Sequence, residues 1–436
     1  MPFWLVSNQN GLDLTEQIFH FSITQDGNFN KNILFDYGVS IYSTLKSNSP
    51  SDLFIKKGFL RLKKNIFYIN LGRFNQNISS ESKLLSSGSL AISKNAINIP
   101  SIEIGTDNFI PIIIKKLNFE LKGNLSHGWL NKGQYLEAPF LHQKNLYFKK
   151  IINSGNSISL GIVHLAIWGG ETRIHGKQPY QLIDYLRIFF VRPGSKNALE
   201  QEKINTLGNH LGIWDLAYEK QQNQKKLKLY YQHPFEDESG ARWLLNRFDG
   251  LYGIELITKN DSYINHFLYE YINTMNQSGS AGASDSTYGW DNYYNHYIYQ
   301  SGWTYYNKVI GNPLFTLGSN KGSYSDGLYI INNRIKAHHL GLIGNFTKKI
   351  KYKILFTYSK NFGIFSDMNR FKIGGKIYKF ENGLIQRSAL FQIKIKNINK
   401  FNIELSYAID KGQVLKSSNS VLISINYNYS LNSVSK

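Results

Sequence analysis

Between Trp290 and Trp303 the chain gathers Asp291, Asn292, Tyr293, Asn295 and His296, with further tyrosines at 294, 297 and 299. Flat aromatic rings can stack on the apolar face of a pyranose, while carboxylate, amide and imidazole groups hydrogen-bond its hydroxyls. The residue types therefore suit a sugar-binding surface, with Trp290 and Trp303 as stacking rings and the polar residues between them. An aromatic girdle beside an ordered loop of a large β-protein would account for the same run.

Other groups that could do chemistry are fewer. Glu236, Asp237 and Glu238 form an acidic trio that could bind calcium, or could be held by salt bridges to Arg242 and Arg247. Calcium requires a full shell of oxygen ligands, and none is evident around the trio. His338 and His339 are adjacent, so on a regular strand they point to opposite faces and cannot chelate one ion. Arg334, just before them, could meet an acidic sugar or an acidic side chain in a barrel lumen. There is no Gly-x-Ser-x-Gly elbow, no phosphate loop and no His-Glu-x-x-His pattern. Cysteine is absent, which removes disulfides, thiolate metal sites and a cysteine nucleophile. Neither catalysis nor a metal or other cofactor is expected.

The elements that must position these residues are strands. Ile33, Phe35, Tyr37, Val39 and Ile41 alternate with polar or small residues. So do Phe401, Ile403, Leu405, Tyr407 and Ile409, and then Val421, Ile423, Ile425 and Tyr427. Many segments of roughly ten residues with one apolar and one polar face are the signature of a transmembrane antiparallel β-barrel. Residues 178–208 break the pattern, with Leu182, Tyr185, Leu186 and Phe189 at helical spacing and Gly208 placed to cap a second helix. That stretch reads as a helical insertion or plug in a single barrel domain spanning 1–436. The fold class is all-β with minor α.

The formal net charge is +20, yet the Lys and Arg residues are scattered along strands rather than clustered, so nucleic acid is not the expected partner. Dispersed positive charge suits acidic glycans or lipid phosphates. The opening Met1–Val6 is too short, and lacks the basic start, to be a signal peptide.

Several segments taken in order resemble the capsule assembly Wzi family, in its Bacteroidetes-type form. They are the opening PFWLVSNQ from Pro2, HGKQP from His175, DYLRIFF from Asp184, LGNHLGIWD from Leu207 and YYQHPFEDESGARW from Tyr230. FLYEY from Phe267, DNYYNH from Asp291, YQSGWTY from Tyr299, IGNPL from Ile310 and NRIKAHH from Asn333 complete the series. The resemblance implies an outer-membrane barrel of about eighteen strands, with short helices on the periplasmic side or in the lumen. It also implies a lectin-like role in attaching or assembling capsular polysaccharide at the cell surface. A porin-like barrel passing anionic solutes is the alternative, and a plugged lumen would decide against it.

Overall fold

The computed structural model describes residues 1–12, 17–30, 33–45, 52–76, 78–112, 118–130, 135–172, 174–242, 246–258, 263–277, 291–318, 330–364, 379–398 and 400–427. Eighteen strands make one antiparallel sheet. The first nine are β1 (Gln17–Asn30), β2 (Ile33–Leu45), β3 (Asp52–Lys64), β4 (Phe67–Arg73), β5 (Ser101–Thr106), β6 (Ile110–Ile112), β7 (Phe119–Trp129), β8 (Phe140–Asn153) and β9 (Asn156–Trp168). The rest are β10 (Asn209–Gln222), β11 (Lys225–Phe235), β12 (Gly250–Thr258), β13 (His266–Asn273), β14 (Ile335–Asn345), β15 (Ile350–Gly363), β16 (Lys379–Ile398), β17 (Phe401–Gly412) and β18 (Ser418–Tyr427).

Neighbours in sequence pair as neighbours in space, and β5 and β6 follow one another along the same edge of β7. Connections at one end are tight. Asn65 and Asn223 take positive φ in two of these turns, a conformation that asparagine tolerates well. The longest connections lie at the other end, and apart from α1 they carry the material discussed below.

Side chains alternate across this sheet with the sense opposite to that of a water-soluble protein. Phe19 and Ile425 are 63% and 66% exposed, and Phe67, Ile69, Ile158, Leu160, Leu405 and Ile423 also face outward. The opposite face buries Asn70, Glu103, Asn145, Asp215, Gln232, Glu270, His339, Ser388 and Asp410. A continuous outer apolar band around a polar interior is what lipid demands of a sheet. Among the described residues no helix is long and apolar enough to cross a membrane, so the strands are the spanning elements. His339 faces the interior while His338 is outside, as strand alternation requires.

The interior is filled. Helix α1 (Phe3–Val6), residues 78–100 and residues 291–317 enter the lumen, where Trp4, Leu85, Leu90, Tyr293, Tyr294, Trp303 and Phe315 form one core with lumen-facing strand residues. Polar wall residues hold this filling in place. Glu270 on β13 accepts from Ser86 Oγ (2.6 Å), Ser87 N (2.7 Å), Ser87 Oγ (2.6 Å) and Tyr230 Oη (2.5 Å). Asp215 on β10 accepts from Ser80 N (2.7 Å) and Tyr147 Oη (2.8 Å). His339 Nε2 donates to Leu85 O (2.7 Å), and Gln232 Oε1 accepts from Leu90 N (3.0 Å). Strands from β8 to β14 thus converge on the same few loops, which places those loops inside a curved wall.

The expected helices of 178–208 are present in shortened form as α2 (Leu182–Phe189) and α3 (Glu200–Ile204). Neither fills the lumen. Both sit at the long-loop end, where the α2 side chains pack against the outer face of β7 to β9. Gly208 lies beyond α3 and caps nothing; with φ +91° it lets the chain enter β10 where a Cβ would meet Ile167 O at 2.9 Å.

Removing the acceptor at the centre of the plug tests its anchoring. Glu270→Ala leaves four donors without their partner, and it should lower unfolding stability by about 3 kcal/mol. The check is the denaturant midpoint of the folded barrel with its strand circular dichroism retained. An unchanged midpoint would mean that the serines do not anchor the plug.

Candidate functional site

The run from Asp291 to Trp303 divides between the lumen core and a cavity at the long-loop rim. Asp291, Asn292, Asn295 and His296 line that cavity, whose volume is about 970 Å³. Glu236 and Asp237, Tyr297 and Gln300, His164 and His210 line it too, and the insertion adds Val191, Pro193, Gln201, Ile204, Asn205 and Thr206. Residues far apart in sequence therefore meet at one concave site of the size that holds a small polar ligand.

Local hydrogen bonds fix the loop. Asn295 donates through Nδ2 to Asn292 Oδ1 (3.0 Å) and Ile330 O (2.8 Å), and its Oδ1 accepts from Ile330 N (3.0 Å). Asn333 Nδ2 donates to Asn292 Oδ1 (2.5 Å) and Tyr293 O (2.7 Å). Tyr294 N donates to Glu236 Oε1 (2.7 Å), which ties the loop to the end of β11. Gly302 then turns the chain at φ +61°, where a Cβ would sit 2.2 Å from Tyr294 O; no other residue fits. Asn292 and Asn295 are thus held on backbone already fixed to the plug.

Two tautomers follow from the geometry. His296 Nδ1 accepts from Ile298 N (3.2 Å) and Tyr299 N (3.4 Å), so its Nε2 carries the proton and is a donor. His210 Nε2 must donate to Leu207 O (2.7 Å), which leaves its Nδ1 to accept from His164 Nε2 (2.8 Å). The His296 and Tyr297 rings lie 4.6 Å apart, a small aromatic edge to the cavity. Burial, with Asp291 and Asp237 adding like charge, holds the Glu236 carboxyl well above its usual range. Burial, assisted by His210, pushes the His296 imidazole down to about 3.

The other expected residues lie elsewhere. Trp303 is fully buried in the lumen core and does not line the cavity. Tyr293 is buried too, its hydroxyl donating to Asp249 Oδ2 (3.1 Å) and accepting from Asn246 Nδ2 (2.9 Å). Arg334 Nε donates to Met275 O (3.3 Å), away from the cavity. Trp290 lies outside the described residues. Of the acidic trio, Glu236 and Asp237 line the cavity, and Glu238 opens a one-turn helix, Glu238–Ala241. No three His, Asp or Glu side chains come together as a metal-ligand set among the described residues. Reading the sequence missed Tyr297, Gln300, His164 and His210. Tyr297 was visible in the aromatic run, and His210 in the segment Gly208–Gly212; only the fold brings His164 beside them.

Fold and site together define a membrane-spanning β-barrel with a filled lumen and a polar, aromatic-edged cavity at its rim. Residues 35–320, well over half of the chain, match the family model for capsule assembly protein Wzi, and the chain belongs to that family. Family and apolar-out barrel together make it an outer-membrane protein. Among solved structures it is similar to Wzi of Escherichia coli, described as an outer-membrane, carbohydrate-binding β-barrel involved in group 1 capsule assembly. The TM-score is 0.60 at 12% identity, over 94% of this chain and 79% of that one. OccAB2 of Acinetobacter baumannii aligns at a TM-score of 0.47 and 10% identity, over 94% of this chain and 91% of its own. No curated protein matches the sequence.

The depressed His296 predicts a pH effect with a definite sign. Between about 6.5 and about 3 the unfolded chain binds a proton at this imidazole that the folded loop does not, so His296 costs stability as pH falls. His296→Gln should therefore lose less stability than the native protein on acidification from about pH 6 to about pH 4. Denaturant midpoints measured across that range check this. Parallel curves would show that His296 is not a buried neutral group.

Proposed function

We propose that this protein binds extracellular or capsular polysaccharide without transforming it, and so assists capsule attachment or assembly at the cell surface. The observation that carries the reading is the rim cavity. It joins a protonated imidazole nitrogen, carboxylate and amide groups and a tyrosine ring, the partners that a sugar's hydroxyls and apolar face require. The carbohydrate-binding description of the Escherichia coli neighbour supports the same function. Recognition of this kind needs only stacking and hydrogen bonds, and no group here has to activate a leaving group.

The plug favours binding over transport, because described loops tied to several wall carboxylates and amides occupy the lumen. Charge enters at two scales. The net charge of +20 would draw an acidic polymer toward the protein from a distance. The cavity lining contains Glu236, Asp237 and Asp291, and neither Lys nor Arg among the described residues. We assign the cavity to an uncharged part of the polymer, with acidic groups held against basic surface outside it.

Tyr297 and Gln300 are the test positions, since both line the cavity. Tyr297→Ala combined with Gln300→Ala should weaken binding of purified capsular glycan about tenfold or more, the equivalent of one lost stacking contact and one hydrogen bond. It should also release polysaccharide into the medium while the barrel remains at its normal level in the outer membrane. Unchanged affinity and retention would remove the cavity from the reading. Normal retention in cells lacking the protein altogether would remove the function.

A further inference from the structure

Helix α2 carries apolar side chains on both its inner and its outer side, but only the inner side is packed. Asp184, Tyr185, Ile188 and Phe189 turn toward the barrel, where the Tyr185 ring lies 5.8 Å from His127, 5.4 Å from His142 and 5.7 Å from Trp168. Lys144 Nζ sits over the Phe189 ring at 4.1 Å. Strand register shows which surface this is. Phe148, Leu146, Lys144 and His142 pair with Leu160, Ile162, His164 and Ala166, so all eight share one face. Phe148, Leu146, Leu160 and Ile162 are exposed, which makes it the outer, lipid-side face of the wall. The polar residues at its upper end, His142 and His164, are shielded because the insertion lies over them.

The far side of α2 carries Leu182, Ile183, Leu186 and Phe190, 76%, 53%, 43% and 63% exposed. An apolar helix stripe left outside the protein core belongs against another apolar surface or in lipid. Here the neighbouring surface decides between them. On β9 the outward row Ile158, Leu160 and Ile162 runs directly into the covered positions 164, 166 and 168, so the apolar band passes from strand to helix without a break. At a strand tilt of roughly 40°, a band about 25 Å tall takes about ten residues, the distance from Ile158 to Trp168. The helix therefore lies at the upper margin of the hydrocarbon layer. The two polar side chains of α2 do not interrupt its outer stripe: Asp184 accepts from Gln181 N (3.0 Å) and Arg187 Nη1 donates to Pro193 O (2.8 Å).

We propose that the outer face of α2 is a lipid-contact surface, with Leu182, Ile183, Leu186 and Phe190 seated among acyl chains at the headgroup boundary. The segment that follows α2 supplies Val191, Pro193 and Thr206 to the wall of the rim cavity. The bilayer thereby braces one wall of that cavity and fixes its height above the membrane. The inference concerns a different surface from the glycan site and stands whether or not the cavity binds sugar.

The absence of cysteine makes the test direct. Leu182→Cys and Leu186→Cys, each carrying an environment-sensitive fluorophore on the full chain in phosphatidylcholine vesicles, report the surroundings of the outer face. The aqueous control is Asn223→Cys, in a tight turn at the opposite end. Nitroxide placed high on the lipid acyl chain should quench the α2 labels by about half or more, with blue-shifted emission, while iodide quenches only the control. Iodide quenching equal to the control would overturn the proposal. Protection from both quenchers would overturn it as well, because it would mean that protein rather than lipid covers the helix. Leu182 and Leu186 are exposed, and retained strand circular dichroism verifies that each variant, Asn223→Cys included, keeps the folded barrel.

Discussion

A polar interior has to be satisfied, and in this barrel the Glu270 carboxylate shows how. Set on β13 and facing inward, it would be costly to bury alone, yet three serine groups and the Tyr230 hydroxyl converge on it. The same logic repeats at Asp215, Gln232 and His339. The wall needs partners for its polar side chains, and the serine-rich segment from Ser79 to Ser93 needs a surface to fold on. Each requirement answers the other, and the lumen closes as a result.

The site depends on that closure. Asn292, Asn295 and Tyr294 are held by the plug and by Glu236, so the cavity residues stand on backbone that cannot shift independently of the barrel. Preorganisation of this kind lowers the ordering cost of binding a flexible polymer. It also explains why one short run serves two purposes. Tyr293, Tyr294 and Trp303 turn inward and fill the core, while Asp291, His296 and Tyr297 turn outward and line the cavity.

Much of this was legible beforehand because period-two alternation leaves a mark that no tertiary detail erases. Phe401 to Ile409 and Val421 to Tyr427 announced both the strands and their two faces, and the opposed directions of His338 and His339 followed from that geometry. The polar members of the site were legible as a cluster, because hydrogen-bonding groups beside aromatic rings are rare within strands. Which rings face the cavity was not legible. An indole such as Trp303 is as good a core filler as a stacking platform, and only packing decides. His164 was invisible for another reason: it reaches the cavity through the register of β9 on β10 and through the insertion that covers it. The plug from 78 to 100 carries no periodic pattern at all, since its order comes from the wall and not from its own residues.

The first helix adds a constraint of a different kind. Phe3 N donates to Asp410 on β17, 407 positions later, and Trp4 Nε1 donates to Thr357 on β15. These contacts bridge 407 and 353 positions, so α1 cannot make them until β15 and β17 are in place. Contacts of such sequence separation are slow to form. The docking of α1 is then a closing event of assembly: its release would report a barrel whose last strands have come loose, well before the strands themselves are lost.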